Sequence, residues 1–252
     1  MDAKVIIDVA QQAGALAHSL QKHLVVTTKE DNSLLTQADL KVSTFILTQL
    51  SHHFPHDQAF TEEHQQHNIN WNGRVWVVDP IDGTSAYAQG KDGWAVSMAL
   101  VEQGAPVLGV VCAPALGWTA WAVKGMGAFM NEQRLRVSAT STVEDATGYV
   151  TRAEDGSKTG ITLQSPKEHP YSAAAKLVLV AQGKADIYAH VRNRLSKWDT
   201  AAGHIIVLEA GGRITATDGT LLDYSQKQMR WSTGVLATNG LVHQEFIELF
   251  SS

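Results

Sequence analysis

Val75-Trp76-Val77-Val78-Asp79-Pro80-Ile81-Asp82-Gly83-Thr84 is an apolar run that breaks abruptly into two acids, a proline and a glycine. Four consecutive strand-favouring residues bounded by turn formers predict a buried strand, and Pro80 withholds a ladder hydrogen bond at the next position. Asp79 and Asp82 are then expected on a tight turn with their carboxylates facing one small volume. Two acids so placed repel each other unless a cation or a proton lies between them. Gly83 lets the backbone approach a ligand closely. Taken alone, the stretch reads equally well as an ordinary surface turn.

Working outward, the residues before this strand predict helices. Val5, Ile6, Val9, Ala10, Ala13, Leu16, Ala17 and Leu20 recur at helical spacing over residues 2–23, and Phe45, Ile46 and Leu50 do so after Thr36-Gln37-Ala38-Asp39. Thr36 to Asp39 has the form of a capping box, which explains both residues by a local effect of about 1 kcal/mol. An acid in the first turn of a helix is also well placed to aim at a shared cation. After Thr84, Trp94 to Val101, Pro106 to Ala113 and Trp118 to Val123 predict an antiparallel meander with a turn at Gln103-Gly104, closed by Gly125-Met126-Gly127. Trp94, Trp118, Trp121 and Cys112 are assigned to the core.

The rhythm changes across the polar stretch 138–147, which places a boundary between an N-terminal half, residues 1–145, and a C-terminal half, residues 146–252. Strands are expected at Gly148 to Thr151, Ala185 to Ala189, Arg213 to Thr217 and Val235 to Ala237. Helices are expected from Pro170 to Val180, Asp199 to Glu209 and Leu241 to Leu249. Asp199 stands where an N-cap would stand, and a second carboxylate oxygen there would be free for a cation.

The formal net charge of −5 and the scattered Lys and Arg leave no electrostatic footprint for duplex nucleic acid. An anionic small substrate would need metal ions. A single cysteine excludes an intramolecular disulfide framework, and with no signal-like or membrane-spanning run the chain is expected to be soluble and cytoplasmic. His52, His53, His56, His64 and His67 surround Glu62-Glu63, but their spacings match no standard zinc pattern.

Three segments together resemble the inositol monophosphatase superfamily of metal-dependent, lithium-sensitive phosphatases. They are Glu62-Glu63, the Asp79 to Thr84 turn, and Trp198-Asp199-Thr200-Ala201-Ala202-Gly203 with Glu209-Ala210-Gly211-Gly212. Within it, Lys29-Glu30-Asp31-Asn32-Ser33 with Leu35 to Asp39, Trp198 to His204, and Ser172 with Lys176 ahead of Val180 to Tyr188 are similar to 3′(2′),5′-bisphosphate nucleotidases. Leu34-Leu35 and Ser85-Ala86-Tyr87 depart from that branch's usual pattern.

The resemblance implies an α/β (α+β) layered sandwich, αβαβα, the sugar phosphatase fold. It implies that Glu62, Asp79, the Ile81 carbonyl, Asp82 and Asp199 hold two or three Mg²⁺ ions. Gly83 and Thr84 would contact the phosphate, Asp39 and Thr84 would orient and deprotonate the attacking water, and Lys176 is a candidate for recognising substrate charge that reads equally well as a solvated helix lysine. A small phosphorylated substrate follows, with adenosine 3′,5′-bisphosphate and a link to sulfur metabolism as the first expectation. Inositol 1-phosphate, histidinol phosphate and fructose 1,6-bisphosphate are the alternatives, and a non-catalytic metal or nucleotide sensor is the alternative of a different class. The family includes homodimers and monomers, and some bacterial relatives associate peripherally with the inner membrane, so both points stay open at this stage.

Overall fold

The computed structural model describes residues 3–23, 26–28, 34–64, 68–151, 163–164, 166–191 and 194–251. Lys29 to Ser33, which carry part of the resemblance, and His67 of the histidine-rich loop lie outside the described residues.

The chain opens with α1 (Ala3–Leu20), a short antiparallel pair β1 (Val26–Thr28) and β2 (Leu34–Thr36), and α2 (Gln37–His53). A seven-stranded sheet follows, built in sequence order from β3 (Gln58–Thr61), β4 (Arg74–Asp82), β5 (Ala95–Glu102), β6 (Ala105–Ala113), β7 (Trp118–Val123), β8 (Gly127–Met130) and β9 (Gln133–Arg134). Among the described residues of this sheet, only β3 and β4 run parallel. The short helix α3 (Thr84–Ala88) sits between β4 and β5. The remaining elements are β10 (Gly148–Thr151), α4 (Ala173–Ala181), β11 (Ile187–His190), α5 (Lys197–Glu209), β12 (Arg213–Thr215), β13 (Val235–Thr238) and α6 (His243–Ser251). Their four strands make a second sheet in the order β10-β11-β13-β12.

Three apolar clusters stack these elements into five layers. Ile6, Val9, Ala13 and Ala17 of α1 and Val42, Ile46 and Leu50 of α2, the stripes expected from helical spacing, pack against Trp76, Val78, Met98 and Val110 on one face of the large sheet. The opposite face presents Val75, Val77, Ala99 and Val111 to Leu177 and Val178 of α4 and to Ala201, Ala202 and Ile205 of α5. Tyr188, Val235 and Ala237 of the second sheet cover the far side of those helices. Phe246 of α6 then packs on Ile187, Ala189 and Leu236 on that sheet's outer face. The order helix, sheet, helix, sheet, helix is the expected αβαβα sandwich.

Two features differ from the sequence reading. The meander does not close at Gly125 to Gly127, because that turn leads into β8 and β9, which extend the sheet. Nor does β4 end at Asp79. Asp79 pairs with Ser97 and Asp82 with Ala95, so three steps on β4 match two on β5, which is a β-bulge. Residues three apart on a regular strand point to opposite faces. The extra residue returns Asp82 to the face of Asp79, while Ile81 joins Trp76 and Val78 beneath α1 and α2.

Helix α5 lies close against the sheet at Gly109 of β6. A Cβ built there would stand 2.6 Å from the Ala202 carbonyl oxygen and from the Ile205 side chain. Gly109→Val is therefore expected to lower stability by about 1–3 kcal/mol through overpacking, read as a fall in the urea midpoint at unchanged slope.

Candidate metal and phosphate site

Five acids from four separate parts of the chain converge at one end of the large sheet. Asp79, Asp82 and Asp199 form the tightest group, with one carboxylate oxygen from each lying within 4.8 Å of the others. Glu62 follows directly on β3, its N–H bonded to the Val78 carbonyl at 3.2 Å, two residues beyond Phe60, which packs on the α4 and α5 side of the sheet. The negative charges of both Glu62 and Asp39 act on Asp79.

Four of the five carboxylates are fixed by local devices. Asp39 is the third residue of α2 and its Oδ2 accepts from the Thr36 N–H at 2.7 Å and the Thr36 hydroxyl at 2.6 Å, while Thr36 Oγ1 accepts from Ala38 and Asp39 N–H. The predicted capping box is present. Asp79 Oδ1 accepts from the Ile81 N–H at 3.0 Å, which braces the bulge. Asp82 Oδ2 accepts from the Ser172 hydroxyl at 2.6 Å and the Ala174 N–H at 2.7 Å, so this acid of β4 sits at the start of α4. Asp199 is not an N-cap. Ser196 occupies that position, and Asp199, the third residue of α5, accepts the Ser196 N–H at 2.5 Å. The sequence reading missed the cap because Ser196-Lys197-Trp198 carries a lysine and a tryptophan before the acid.

The electrostatics follow from this crowding. Burial raises Asp79 well above the usual carboxylate range, and the charges of Glu62, Asp82, Asp199 and Asp39 raise it further. Burial likewise dominates at Asp199, with Asp82 next. Asp82 is raised by burial but restrained by Ser172, the first N–H groups of α4 and the charge of Lys176. A buried all-oxygen cluster whose charges oppose one another fits a hard divalent cation.

The turn after β4 completes the arrangement. Thr84 Oγ1 donates to the Ile81 carbonyl at 2.9 Å. Gly83 has φ +94°, a left-handed conformation that glycine adopts without strain and other residues rarely do, and it lies in contact range of the Ser172 nitrogen and Trp94. Lys176 is half-buried, with Nζ 5.7 Å from the centre of the Tyr188 ring and its charge acting on Asp82. That surrounding is unlike the solvated face of a surface lysine.

Some participants carried no local sequence signal for the contacts they make. Ser172 is an N-cap whose hydroxyl also holds Asp82, and only its place before an alanine run hints at the cap. Ser97, the partner of Asp79 across the bulge, donates to the Trp198 carbonyl at 3.2 Å and so ties β5 to the residue before Asp199. Tyr188 is buried beside the cluster, where Asp82 and Asp199 raise its phenol after burial does. Among the described residues of the histidine-rich loop, none joins a group able to hold a metal.

A family model described as the inositol monophosphatase family matches residues 2–252. The chain belongs to the inositol monophosphatase family. Relatives within it divide by substrate. One is a fructose-1,6-bisphosphatase/inositol-1-monophosphatase of Thermotoga maritima, 34% identical over 86% of this chain and 82% of its own length. Another is a histidinol-phosphatase of Mycobacterium tuberculosis, 35% identical over 89% and 87%. A third is a 3′(2′),5′-bisphosphate nucleotidase of Aggregatibacter actinomycetemcomitans, 32% identical over 88% and 87%. The solved structure of an IMPase of Thermotoga maritima superposes with a TM-score of 0.87 at 30% identity, covering 100% of this chain and 97% of that one. Relatives and family agree on a phosphatase, and the inositol monophosphatase fold agrees with the five layers above. No described helix is long and apolar enough to cross a membrane.

The raised acids of this inositol monophosphatase family member set a pH dependence. Without metal, Asp79, Asp82 and Asp199 retain protons in the folded chain that they release on unfolding. The folded state then binds more protons, and stability falls as pH rises from the ordinary carboxylate value of about 3.9 through the raised folded values. In EDTA the melting temperature is expected to decline over the window that opens at about pH 3.9, and Asp79→Asn, which removes one of the opposed charges, should flatten that decline. A melting temperature that rises across this window would contradict the electrostatic reading.

Proposed function

We propose that the chain is a Mg²⁺-dependent phosphomonoesterase acting on a small phosphorylated metabolite. The observation that carries this is the meeting of Asp79, Asp82 and Asp199 oxygens within 4.8 Å, beside a glycine turn able to admit a phosphate. Glu62, Asp79, the Ile81 carbonyl, Asp82 and Asp199 would hold two or three ions. When bound, the metal supplies Lewis-acid charge for phosphoryl oxygens and lowers the pKa of a water to near neutrality.

The remaining work belongs to the side chains. Asp39, immobilised by Thr36, accepts a proton from the attacking water, and the Thr84 hydroxyl orients that water. The water oxygen bonds to phosphorus as the ester P–O bond breaks in line, the departing alkoxide takes a proton from a solvent water, and Asp39 returns the proton it accepted to the hydroxide so formed. Ser172 and the Ala174 N–H keep Asp82 in place through the reaction. Gly83 and Thr84 present backbone N–H groups to the phosphate.

For the substrate itself we infer adenosine 3′,5′-bisphosphate, losing its 3′-phosphate. This is supported by Lys176, a half-buried cation near Asp82 that suits a second anionic group, and by similarity to bisphosphate nucleotidases. Histidinol phosphate is the second reading, favoured by the similarity to the mycobacterial histidinol-phosphatase.

Phosphate release should be fastest, by kcat/KM, for the bisphosphate nucleotide in a panel with histidinol phosphate, inositol 1-phosphate and fructose 1,6-bisphosphate. Faster turnover of any other member would replace the nucleotide assignment. Asp82→Asn is expected to lower kcat/KM by roughly a thousandfold, the equivalent of several kcal/mol of metal-dependent stabilisation, with the circular dichroism spectrum retained. Lys176→Met should raise KM for the bisphosphate about tenfold and leave inositol 1-phosphate nearly unaffected, as expected for one lost charge-assisted contact.

A further inference from the structure

Lys197 is the first residue of α5, two positions before Asp199, and its side chain is fully buried. An ammonium group is costly to bury unless its donors are met. Here they are. Nζ donates to the Tyr224 carbonyl at 2.7 Å and to the Gln226 carbonyl, and it lies 4.2 Å from the centre of the Trp71 ring, within cation–π range. The same stretch of chain is tied along the backbone, with the Lys197 N–H bonded to the Met229 carbonyl at 2.9 Å and the Trp231 N–H to the Leu195 carbonyl at 2.9 Å.

What this clamp reaches is the opposite wall of the acidic site. Trp71 lies on the connection that runs from Glu62 to β4, and its ring centre is 5.4 Å from that of Phe60. Phe60 also stacks on Trp198, the residue between Lys197 and Asp199, at 5.8 Å. Phe60 precedes Glu62 by two residues, and Glu62 stands directly after the end of β3. The Lys197 cation and the aromatic trio therefore form a rigid strut between the segment bearing Glu62 and the helix turn bearing Asp199.

We propose that Lys197 is a positioning residue that sets the separation of the Glu62 and Asp199 carboxylates by clamping the first turn of α5 to Trp71 and to the 224–226 carbonyls. A neutral side chain of similar length would fill the space but leave both carbonyls without their donor and the ring without its cation. The capping box at Ser196 fixes the helix start locally, whereas the strut fixes it relative to β3. This inference rests on the reading of Glu62, Asp79, Asp82 and Asp199 as metal ligands.

The test is metal binding rather than turnover. Mg²⁺ titration by calorimetry and Mn²⁺ binding by electron paramagnetic resonance would be measured on the whole protein, on Lys197→Met and Trp71→Leu, and on Phe246→Leu, a core change in α6 remote from the site. Lys197→Met is expected to bind metal about tenfold more weakly, in line with loss of a group that orients a ligand, and Trp71→Leu to follow in the same direction. Phe246→Leu should bind as the unmodified protein does. A loss of less than about threefold in folded Lys197→Met, or an equal loss in Phe246→Leu, overturns the positioning role. Should Lys197→Met fail to fold, Trp71→Leu decides by the same threshold. If the unmodified protein binds neither ion, the metal reading itself fails and takes this inference with it. Binding by the unmodified protein with unchanged variants overturns the inference alone.

Discussion

Mutual repulsion among buried carboxylates is the constraint on which the site end of this molecule depends. Asp79, Asp82 and Asp199 are packed within 4.8 Å of one another and feel Glu62 and Asp39 as well. Such a group would splay apart if its members were carried on mobile side chains. Instead Asp39, Asp79, Asp82 and Asp199 are each anchored by backbone donors. Asp39 and Asp199 are both third residues of helices, holding the N–H of their own cap residues, and Asp82 is held by the first turn of α4. The helix starts that offset negative charge locally are also what aim the charge collectively.

The sandwich explains how distant segments meet. Helix α5 belongs to the second half of the sequence but lies on the large sheet, close enough at Gly109 that a methyl group would clash. That packing carries Asp199 to the edge of β4, and Ser97 links its first turn to the strand position opposite Asp79. The layers are thus a means of holding five acids from four separate parts of the chain against one another. The strut through Lys197 would do the same from the other side, between α5 and the segment that bears Glu62.

Much of this was legible in the residues. The apolar periodicity of α1, the strand at residues 75–78, the two-residue turn at Gln103-Gly104 and the capping box at Thr36 each follow from local chemistry, and each is present. What escaped were relations that no local pattern carries. Asp199 looked like an N-cap because caps are read from the residue before an apolar run, whereas Ser196 acts from three residues upstream. Ser97 gave no signal and Ser172 only its place in the resemblance, since a serine's role here is set by which carboxylate or carbonyl tertiary packing brings to it. Lys176 was equally readable as a solvated lysine until Tyr188 and Asp82 were placed beside it. The substrate lies further still beyond local chemistry, since relatives of about equal similarity act on different phosphate esters.

The bulge in β4 bears on how this stretch can change over generations. Because strand faces alternate with period two, the residue count between Asp79 and Asp82 decides whether Asp82 faces its partners or the helices α1 and α2. Substitution at an intervening position alters packing by degrees. Loss or gain of a single codon there would instead invert the parity of the second acid in one step, removing it from the cluster without touching its identity. The segment is consequently written in length as much as in letters, and variation among relatives should enter it by replacement rather than by insertion or deletion.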